Sequence, residues 1–344
     1  MPSALGLSTY RWNNNIKSAL LLLAFPFLLL GLVGGFFGLA GYLYIQPDGA
    51  VNPAILQTFG LGGYGLTPWQ MAEAGVWAYW PVTMGVAAVW LLLGYLFNDA
   101  MIHAATGARA VERRDAPKLY NLLENLCIAR GLKTPKLYVI DGDEMNAYAS
   151  GMDEHSYSIT VTRGLLERLD DAEVEAVLGH ELTHILNRDV RLLVVTIVFT
   201  GMISFIAQML WRSLRFAAYG RNRDREGGGG AFVLMLLASV LLALGYVLAL
   251  VLRFAISRKR EYLADAGSVE LTKSPEVLIS ALEKISANPD VPHVPPEVRQ
   301  MFIENPPSVF TLFDTHPLIA DRIKVLRELG GLPSPGASII PKAG

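Results

Sequence analysis

Long stretches without a charged residue interrupt this chain at four places. Residues 18–45, 74–97, 192–211 and 231–252 contain no Asp, Glu, Lys or Arg, and each is at least 20 residues long. About 20 apolar residues in a helix are enough to cross the hydrocarbon core of a bilayer. One such window could be a buried core helix, whereas four in one chain predict an α-helical membrane protein with about four transmembrane or membrane-inserted helices.

The first window, 18–45, could also belong to a signal peptide, because Arg11 and Lys17 precede it. Its 28 uncharged residues exceed the usual apolar region of a signal peptide, and no clear small-x-small cleavage site follows. We therefore expect an uncleaved membrane anchor.

The polar remainder of the chain consists of residues 98–191 and 253–344, which together have the size of one common domain. We predict an N-terminal membrane anchor with two transmembrane helices at 1–97. A single domain follows at 98–344, and the hairpin formed by the last two apolar windows interrupts it.

Short-range patterns within 98–191 predict an α+β domain. Residues 115–132 have apolar side chains at helical spacing and end near Gly131, which favours an amphipathic helix. Residues 164–190 are also predicted to be helical, with Asp170 or Asp171 as N-cap and Glu173 in the first turn. Three short β-rich runs predict a small antiparallel sheet: 136–141, 145–151 and 157–164.

The predicted helix 164–190 carries the sequence 179-GHELTHILNRD-189. His180 and His184 stand one turn apart on the same face, so that both imidazoles can reach one metal ion. Glu181 follows the first histidine, and its carboxylate can address a water-occupied coordination position. This H-E-x-x-H pattern is the signature of zinc hydrolases, with the glutamate as general base. The plainer alternative is a pair of surface histidines on a charged helix.

A catalytic zinc requires a third protein ligand. His103, His155 and His293 are possible, but Glu261 in 258-RKREYLADAG-267 is favoured by the predicted topology. A helical hairpin returns its second end beside its first, which would deliver Glu261 to the membrane face that holds His184.

Asp265 lies one turn after Glu261 and can hydrogen-bond a ligating histidine from outside the ligand set. Without the H-E-x-x-H sequence, Glu261 would be an ordinary charged residue next to a membrane helix.

Charge placement predicts the orientation in the membrane. Connector 46–73 contains Asp48 and Glu73 but no Lys or Arg, whereas basic residues precede the first window and follow the second. The positive-inside rule therefore puts the N-terminus and residues from 98 onward in the cytoplasm. One feature disagrees, because loop 212–230 contains five arginines although alternation puts it outside.

Composition agrees with a membrane enzyme and excludes other classes. Hydrophobic residues make up 52% of the chain and charged residues 17%, which is unusually apolar for a soluble protein. The net charge of −2 and the lack of a long basic run argue against nucleic-acid binding. Cys127 is the only cysteine, so no intrachain disulfide can form.

Four segments resemble one family, the membrane-embedded zinc metallopeptidases that include HtpX and the CAAX prenyl endopeptidases. They are 180-HELTHILNRD-189, 257-SRKREYLADAG-267, 315-THPLIADRI-323 and 146-NAYASG-151. The likeness runs from about residue 100 to 330 and is closer to the HtpX type, because this chain is short and has four apolar windows.

The resemblance implies a zincin-like peptidase domain that holds one Zn²⁺ per chain through His180, His184 and Glu261. Glu181 would be the general base, and Asp265 would support a ligand. It further implies that His316 and Arg322 lie near the scissile carbonyl, with His316 as a candidate oxyanion stabiliser; on sequence alone, His316 could equally start a helix and Arg322 could be a surface charge.

The segment Asn146, Ala147, Tyr148, Ala149 and Ser150 would form an edge strand that pairs with a substrate peptide, although an ordinary exposed strand is an equal alternative. The resemblance also implies a multi-pass protein of the cell inner membrane, with its active site on the cytoplasmic side. It would hydrolyse membrane or unfolded proteins in quality control and stress response.

Two rival functions remain open. Histidine and glutamate pairs also mark ion pathways in zinc transporters, and a membrane scaffold without catalysis could keep a structural zinc. The soluble-looking domain argues against the first, and the presence of Glu181 argues against the second. The sequence makes no prediction about the oligomeric state.

Overall fold

The structure is a computed structural model, and it describes most of the chain. The described residues are 4–62, 65–219, 235–240, 242–243, 245, 259–304 and 316–332. The predicted fourth apolar window, 231–252, lies mostly outside them, although residues 235–240 are helical.

The described N-terminal part is mostly helical. It contains α1 (Ala4–Leu43), α2 (Pro53–Thr58) and α3 (Pro68–Thr106). Pro53 and Pro68 stand at the first positions of their helices, where the missing N–H of proline costs nothing. Between α1 and α2, a bridge joins Ile45 and Val51 and closes a short turn.

A four-stranded sheet follows, with one further helix beside it. The elements are β1 (Arg109–Ala110), α4 (Pro117–Arg130), β2 (Lys136–Ile140), β3 (Ala147–Ser150) and β4 (Ser158–Thr162). As predicted, α4 ends at Gly131, which takes the left-handed conformation with φ of 64°.

The predicted antiparallel sheet is wrong in one pairing. The strand order is β1-β2-β4-β3, and β2 pairs with β4 in parallel, while the β1–β2 and β3–β4 pairs are antiparallel. The hairpin of β3 and β4 inserts β4 beside β2, so β3 becomes the outer strand. Alternating apolar residues do not reveal this, because they fit both strand directions equally well.

The predicted helix over 164–190 divides into three helices. These are α5 (Arg163–Arg168), α6 (Asp171–Leu186) and α7 (Asp189–Tyr219). Asp170 caps α6, and a reciprocal capping box joins its side chain and backbone to Glu173. Lys284 and Ser280 also bond the Glu173 carboxylate, at 2.6 Å each.

The described residues from 259 onward add four helices to the sheet and α6. They are α8 (Lys259–Thr272), α9 (Pro275–Ile285), α10 (Pro296–Arg299) and α11 (Ile319–Gly330).

Three helices in the described part of the chain are long and apolar enough to cross a membrane. The spans are Trp12–Leu43, Pro68–Thr106 and Asp189–Ser213, and they contain most or all of the first three predicted windows. Helix α7 continues to Tyr219, so Arg212 and Arg215 lie on a helix and not in the predicted loop 212–230. Arginine is a good helix former, so the end of an apolar window does not end the helix.

The chain divides into two compact units. One comprises Met1–Lys17, Phe97–Val194 and Phe254–Gly344, and the other comprises Ser18–Leu96 and Val195–Arg253. The first unit contains the sheet, α4 to α6 and α8 to α11. The predicted division between residues 97 and 98 stays a prediction.

The second unit is held by aromatic and apolar packing. The ring of Phe37 lies 5.3 Å from that of Tyr79 and 5.2 Å from that of Phe59. The indole Nε1 of Trp90 donates to the carbonyl oxygen of Val198 at 2.9 Å.

Small residues let α6 and α8 approach closely in the first unit. A Cβ at Gly267 of α8 would overlap the side chain of Thr183 on α6. The next residue, Ser268, donates from Oγ to the carbonyl oxygen of Ala176 at 2.6 Å. The close approach of Gly267 to Thr183 fixes the distance between the two helices at this level.

Substituting Gly267→Ala should therefore push the helices apart. We expect the free energy of unfolding to fall by about 1–3 kcal/mol, the usual cost of overpacking. The thermal unfolding midpoint in detergent measures the change. The double variant Gly267→Ala/Thr183→Ala should regain part of the loss, because the smaller side chain leaves room for the new methyl group. Equal midpoints for wild type and Gly267→Ala would contradict this account.

Candidate metal centre

Helix α6 presents two histidines and a glutamate to the interior of the first unit. His180, Glu181 and His184 are 0%, 1% and 8% exposed. The Nε2 atoms of the two histidines lie 3.1 Å apart. The structure therefore places the histidine pair inside the protein, and not on the charged surface that the plainer alternative supposed.

Glu261 joins the two histidines from helix α8. Its Oε2 lies 3.6 Å from His180 Nε2, and its Oε1 lies 3.7 Å from His184 Nε2. Each of the three residues offers one ligand atom, and these atoms lie within 4.8 Å of one another. The structure thus brings together the three residues that the sequence analysis proposed as ligands.

The other three candidate ligands lie elsewhere. His103 is buried and stacks on Tyr138, with 3.5 Å between the ring centroids. His155 and His293 are exposed. In the part of the chain that the structure describes, His180, His184 and Glu261 form the only such group of potential ligands.

The geometry of the three atoms fits a zinc ion. Ligands about 2.0–2.1 Å from a tetrahedral zinc lie roughly 3.3 Å from each other, close to the separations observed here. Neither oxygen of Glu261 has a hydrogen-bond partner among the described residues, although both are buried. Buried carboxylate oxygens without partners are costly, so this donor set suits a bound cation.

A carboxylate orients each histidine. His180 Nδ1 lies 3.0 Å from Asp265 Oδ1, and His184 Nδ1 lies 3.0 Å from Asp189 Oδ2. When each Nδ1 carries the proton that the carboxylate accepts, the two Nε2 lone pairs face each other at 3.1 Å. Two lone pairs at this distance repel unless a proton or a metal ion lies between them.

The supporting shell contains residues that the sequence analysis did not assign. Asn14 Nδ2 donates to Asp189 Oδ1 at 2.7 Å and to the carbonyl oxygen of Asn187 at 3.1 Å. Asp189 follows the H-E-x-x-H sequence closely and could have been suspected. Asn14 lies far away in the chain, and no sequence pattern points to it.

Arg322 lies behind His180. It is fully buried and makes two hydrogen bonds to Asp265, from Nε at 2.9 Å and from Nη2 at 2.6 Å. Its Nη1 donates to the carbonyl oxygen of Ile303 at 3.0 Å. The guanidinium of Arg322 therefore holds the carboxylate of Asp265 in place, and that carboxylate orients His180.

His316 lies beside Glu261. Its Nε2 donates to the carbonyl oxygen of Gln300 at 3.1 Å, and its Nδ1 lies 3.3 Å from Glu261 Oε2. One ring nitrogen thus donates a hydrogen bond to a backbone carbonyl oxygen, and the other lies close to the carboxylate of Glu261.

Arg260 is a polar residue that the sequence analysis missed. It precedes Glu261 on α8 and is only 2% exposed, with its Nε 3.1 Å from Glu261 Oε1. Sequence alone favours an exposed position for an arginine in a run of basic residues.

A small cavity adjoins the three candidate ligands. Its polar lining consists of Glu181, His184, Arg260, Glu261 and His316, and its apolar lining of Ala149, Val190, Leu193, Met301, Phe302 and Ile303. About 10 Å³ is open to the centre of a water molecule, roughly what one water requires. Glu181 Oε1 is buried here without a hydrogen-bond partner among the described residues.

Burial and neighbouring charges shift the pKa values of these groups. Burial raises the pKa of Glu181, and His180 and His184 offset part of that rise. Burial also disfavours the charge on Glu261, but His316 and His184 outweigh it and hold the pKa well below its usual range. Burial disfavours the charge on His184 too, yet the nearby carboxylates, Glu261 first, raise its pKa to about 10.

The predicted substrate strand coincides with β3. Asn146 donates from Nδ2 to the carbonyl oxygens of Pro289 and Glu304, at 2.7 Å each. Tyr148 Oη lies 2.9 Å from Thr106 Oγ1. These side chains make internal contacts, whereas Ala149 lines the cavity.

Ser150, at the end of β3, belongs to a further internal group. Its Oγ donates to Asp99 Oδ1 at 3.1 Å.

The outer edge of β3 is partly occupied. Ile303 N donates to the carbonyl oxygen of Ala147 at 2.9 Å. Thr162 N donates to the carbonyl oxygen of Asn146, so the even-numbered residues of β3 bond to β4 and the odd-numbered ones face outward. Ala149 is therefore the next outward-facing position of this strand.

Comparisons with known proteins find one matching family and several similar sequences. Residues 113–330 match the model of Peptidase family M48. A Protease HtpX homolog of Bacteroides fragilis (strain YCH46) is 42% identical over 333 residues, which are 94% of this chain and 98% of that protein. A Protease HtpX homolog of Dictyoglomus thermophilum is 41% identical over 239 residues, 69% of this chain and 77% of that protein.

A solved structure is also similar, the crystal structure of S. mikatae Ste24p. The TM-score is 0.45 and the identity 19%, over 92% of this chain and 66% of that chain. This chain therefore spans just under two thirds of the length of that protein.

Asp189→Asn should weaken metal binding. The substitution removes the negative charge that supports His184, and outer carboxylates of this kind typically contribute about 10–100-fold to metal affinity. Competition with a chromogenic chelator in detergent measures the zinc affinity. Asp141→Asn is the matched control, since Asp141 is exposed and pairs with Arg163. Unchanged zinc affinity in Asp189→Asn would show that this carboxylate does not support the ligand.

Proposed function

This chain belongs to peptidase family M48, and on that premise we propose that it is a zinc-dependent endopeptidase of the membrane. The observation that carries the proposal is the buried group of His180, His184 and Glu261, with Glu181 at the same cavity. A structural metal site would not need a second buried carboxylate at that cavity.

One zinc ion per chain would be held by His180, His184 and Glu261. Zinc bound there would act as a Lewis acid and lower the pKa of a coordinated water to about 7. Asp265 and Asp189 would keep both histidines in the tautomer that leaves Nε2 free for the metal.

Glu181 would act as the general base. Its Oε1 faces a cavity with room for about one water, and it has no competing hydrogen bond among the described residues. It would accept a proton from the attacking water and then give that proton to the leaving amine. Its raised pKa suits a carboxylate that must both take up and release a proton.

Arg322 and His316 would act as positioning residues. Arg322 is fully engaged with Asp265 and Ile303, and it does not line the cavity. His316 stands between the carbonyl oxygen of Gln300 and the carboxylate of Glu261. Both contacts would hold ligand groups in place, which differs from the role near the scissile carbonyl that the family resemblance implies.

A substrate peptide would pair with β3 at Ala149. This residue is the outward-facing position of β3 that lines the cavity, and Ile303 already occupies the preceding outward position, Ala147. Pairing there would add a strand to the sheet and carry the scissile bond past Glu181.

The substrates would be membrane proteins or unfolded polypeptides, consistent with a role in protein quality control. Helix α7, a candidate membrane span, begins at Asp189, five residues after His184. The site would therefore lie near the membrane surface. The placement of basic residues supports a multi-pass protein of the inner membrane with the site on the cytoplasmic side.

Two substitutions separate the roles of the carboxylates. Glu181→Gln should keep zinc but reduce turnover of casein by about 10²–10⁴-fold, because it removes the general base. Glu261→Gln should lose zinc. Metal analysis and a proteolysis assay on purified protein measure both, with Glu270→Gln, an exposed position on α8, as the control that changes neither. Wild-type cleavage by Glu181→Gln would end the peptidase proposal.

The orientation can be tested by labelling cysteines with a maleimide that does not cross membranes. In a Cys127→Ser background, Asp48→Cys should react in intact cells from which the outer barrier has been removed. Glu154→Cys should react only after the membrane is permeabilised. Both positions are exposed. Labelling of Glu154→Cys in intact cells would place the sheet outside the cytoplasm.

A further inference from the structure

Arg260 is a buried cation with unused hydrogen-bond donors. It is 2% exposed, and none of its three side-chain nitrogens makes a hydrogen bond to a residue that the structure describes. Its Nε is within ion-pair distance of Glu261 Oε1, at 3.1 Å, but the contact lacks hydrogen-bond geometry. A guanidinium has five N–H donors, and leaving them unpaired in the interior is costly.

Arg260 is one of the residues that line the same cavity as the candidate general base. Glu181 and Ala149 also line that cavity, so Arg260 adjoins the space for an attacking water. A peptide paired with the outer edge of β3 at Ala149 would bring a carbonyl group into this space.

The guanidinium of Arg260 brings a positive charge and unused donors into the buried surroundings of the cavity. An oxygen atom that becomes negative during the reaction would be stabilised by such donors.

The two other buried nitrogen-bearing side chains near the ligands, those of Arg322 and His316, have fewer unused donors. Arg322 spends its donors on Asp265 and on the carbonyl oxygen of Ile303. His316 donates from Nε2 to the carbonyl oxygen of Gln300, and its Nδ1 faces Glu261. Among the described residues that line the cavity, Arg260 has the spare donors.

The geometry points to Arg260 as a catalytic residue that donates hydrogen bonds to the carbonyl oxygen of the scissile peptide bond. The assignment rests on the proposed peptidase function and adds a residue to it. Attack by the water oxygen forms a C–O bond and moves the π electron pair to the carbonyl oxygen, while Glu181 takes the proton. Arg260 stabilises the resulting oxyanion. When the pair returns, the C–N bond breaks and the leaving nitrogen takes the proton from Glu181.

Kinetics of Arg260→Gln test this role first. Loss of one oxyanion donor typically lowers kcat by about 10²–10³-fold, and KM should change by no more than about threefold. Arg260→Lys should retain part of the activity, since it keeps a positively charged donor. Lys259→Gln is the matched control, because it removes an adjacent basic residue that is exposed, and its kcat should equal that of wild type.

A binding measurement provides a readout that is independent of turnover. In the Glu181→Gln background, a phosphinic peptide mimics the tetrahedral oxyanion, whereas the matching uncleaved peptide mimics the ground state. Adding Arg260→Gln should weaken binding of the phosphinic peptide by at least about tenfold more than binding of the uncleaved peptide. Zinc content and the thermal midpoint of each variant are measured in parallel.

The outcomes are distinct. If Arg260→Gln loses zinc, or weakens both peptides equally, Arg260 is a positioning residue for Glu261 and the assignment is overturned. Wild-type kcat in Arg260→Gln overturns it as well. In these cases Glu181→Gln remains inactive and the peptidase proposal stands, whereas cleavage by Glu181→Gln would end both. If Arg260→Gln does not fold, Arg260→Lys decides: its affinity for the phosphinic peptide must fall more than its affinity for the uncleaved peptide, although by less than about tenfold, and an equal change for both peptides overturns the assignment.

Discussion

The contact between helices α6 and α8 places two imidazole nitrogens and a carboxylate within 4.8 Å of one another, away from water. With each Nδ1 proton directed to a carboxylate, the lone pairs of His180 and His184 face each other, and the Glu261 oxygens accept no hydrogen bond from the described residues. A cation among the three atoms would relieve this repulsion. The same helix contact includes the close approach of Gly267 to Thr183.

The three candidate ligands depend on a second layer that comes from distant parts of the chain. Asp265 and Asp189 orient the histidines, and Arg322 and Asn14 in turn hold these carboxylates. Each of these four side chains bonds to its neighbour in the layer, so that each buried charge among them has a partner. We therefore expect the three candidate ligands to be held in place before a metal binds. Loss of one outer residue should weaken metal binding.

The same arrangement includes the first residue of a candidate membrane span. Asp189 supports His184 and is also the first residue of α7, a helix long enough to cross a bilayer. The cavity is lined in part by Val190 and Leu193 of that helix. A small space lined in part by apolar groups favours the exclusion of bulk water, which strengthens electrostatic interactions within it.

Short-range patterns in the sequence determined the apolar windows, the capping of α6 and the H-E-x-x-H spacing, because each depends on residues within a few turns of one helix. Tertiary structure decided the parallel pairing of β2 and β4, since alternating apolar residues fit either direction. It also brought Glu261, and not His103, His155 or His293, to the histidine pair. The contacts of Asn14 and the burial of Arg260 were equally beyond the sequence, because the exposure and partners of a polar side chain depend on which distant segments pack against it.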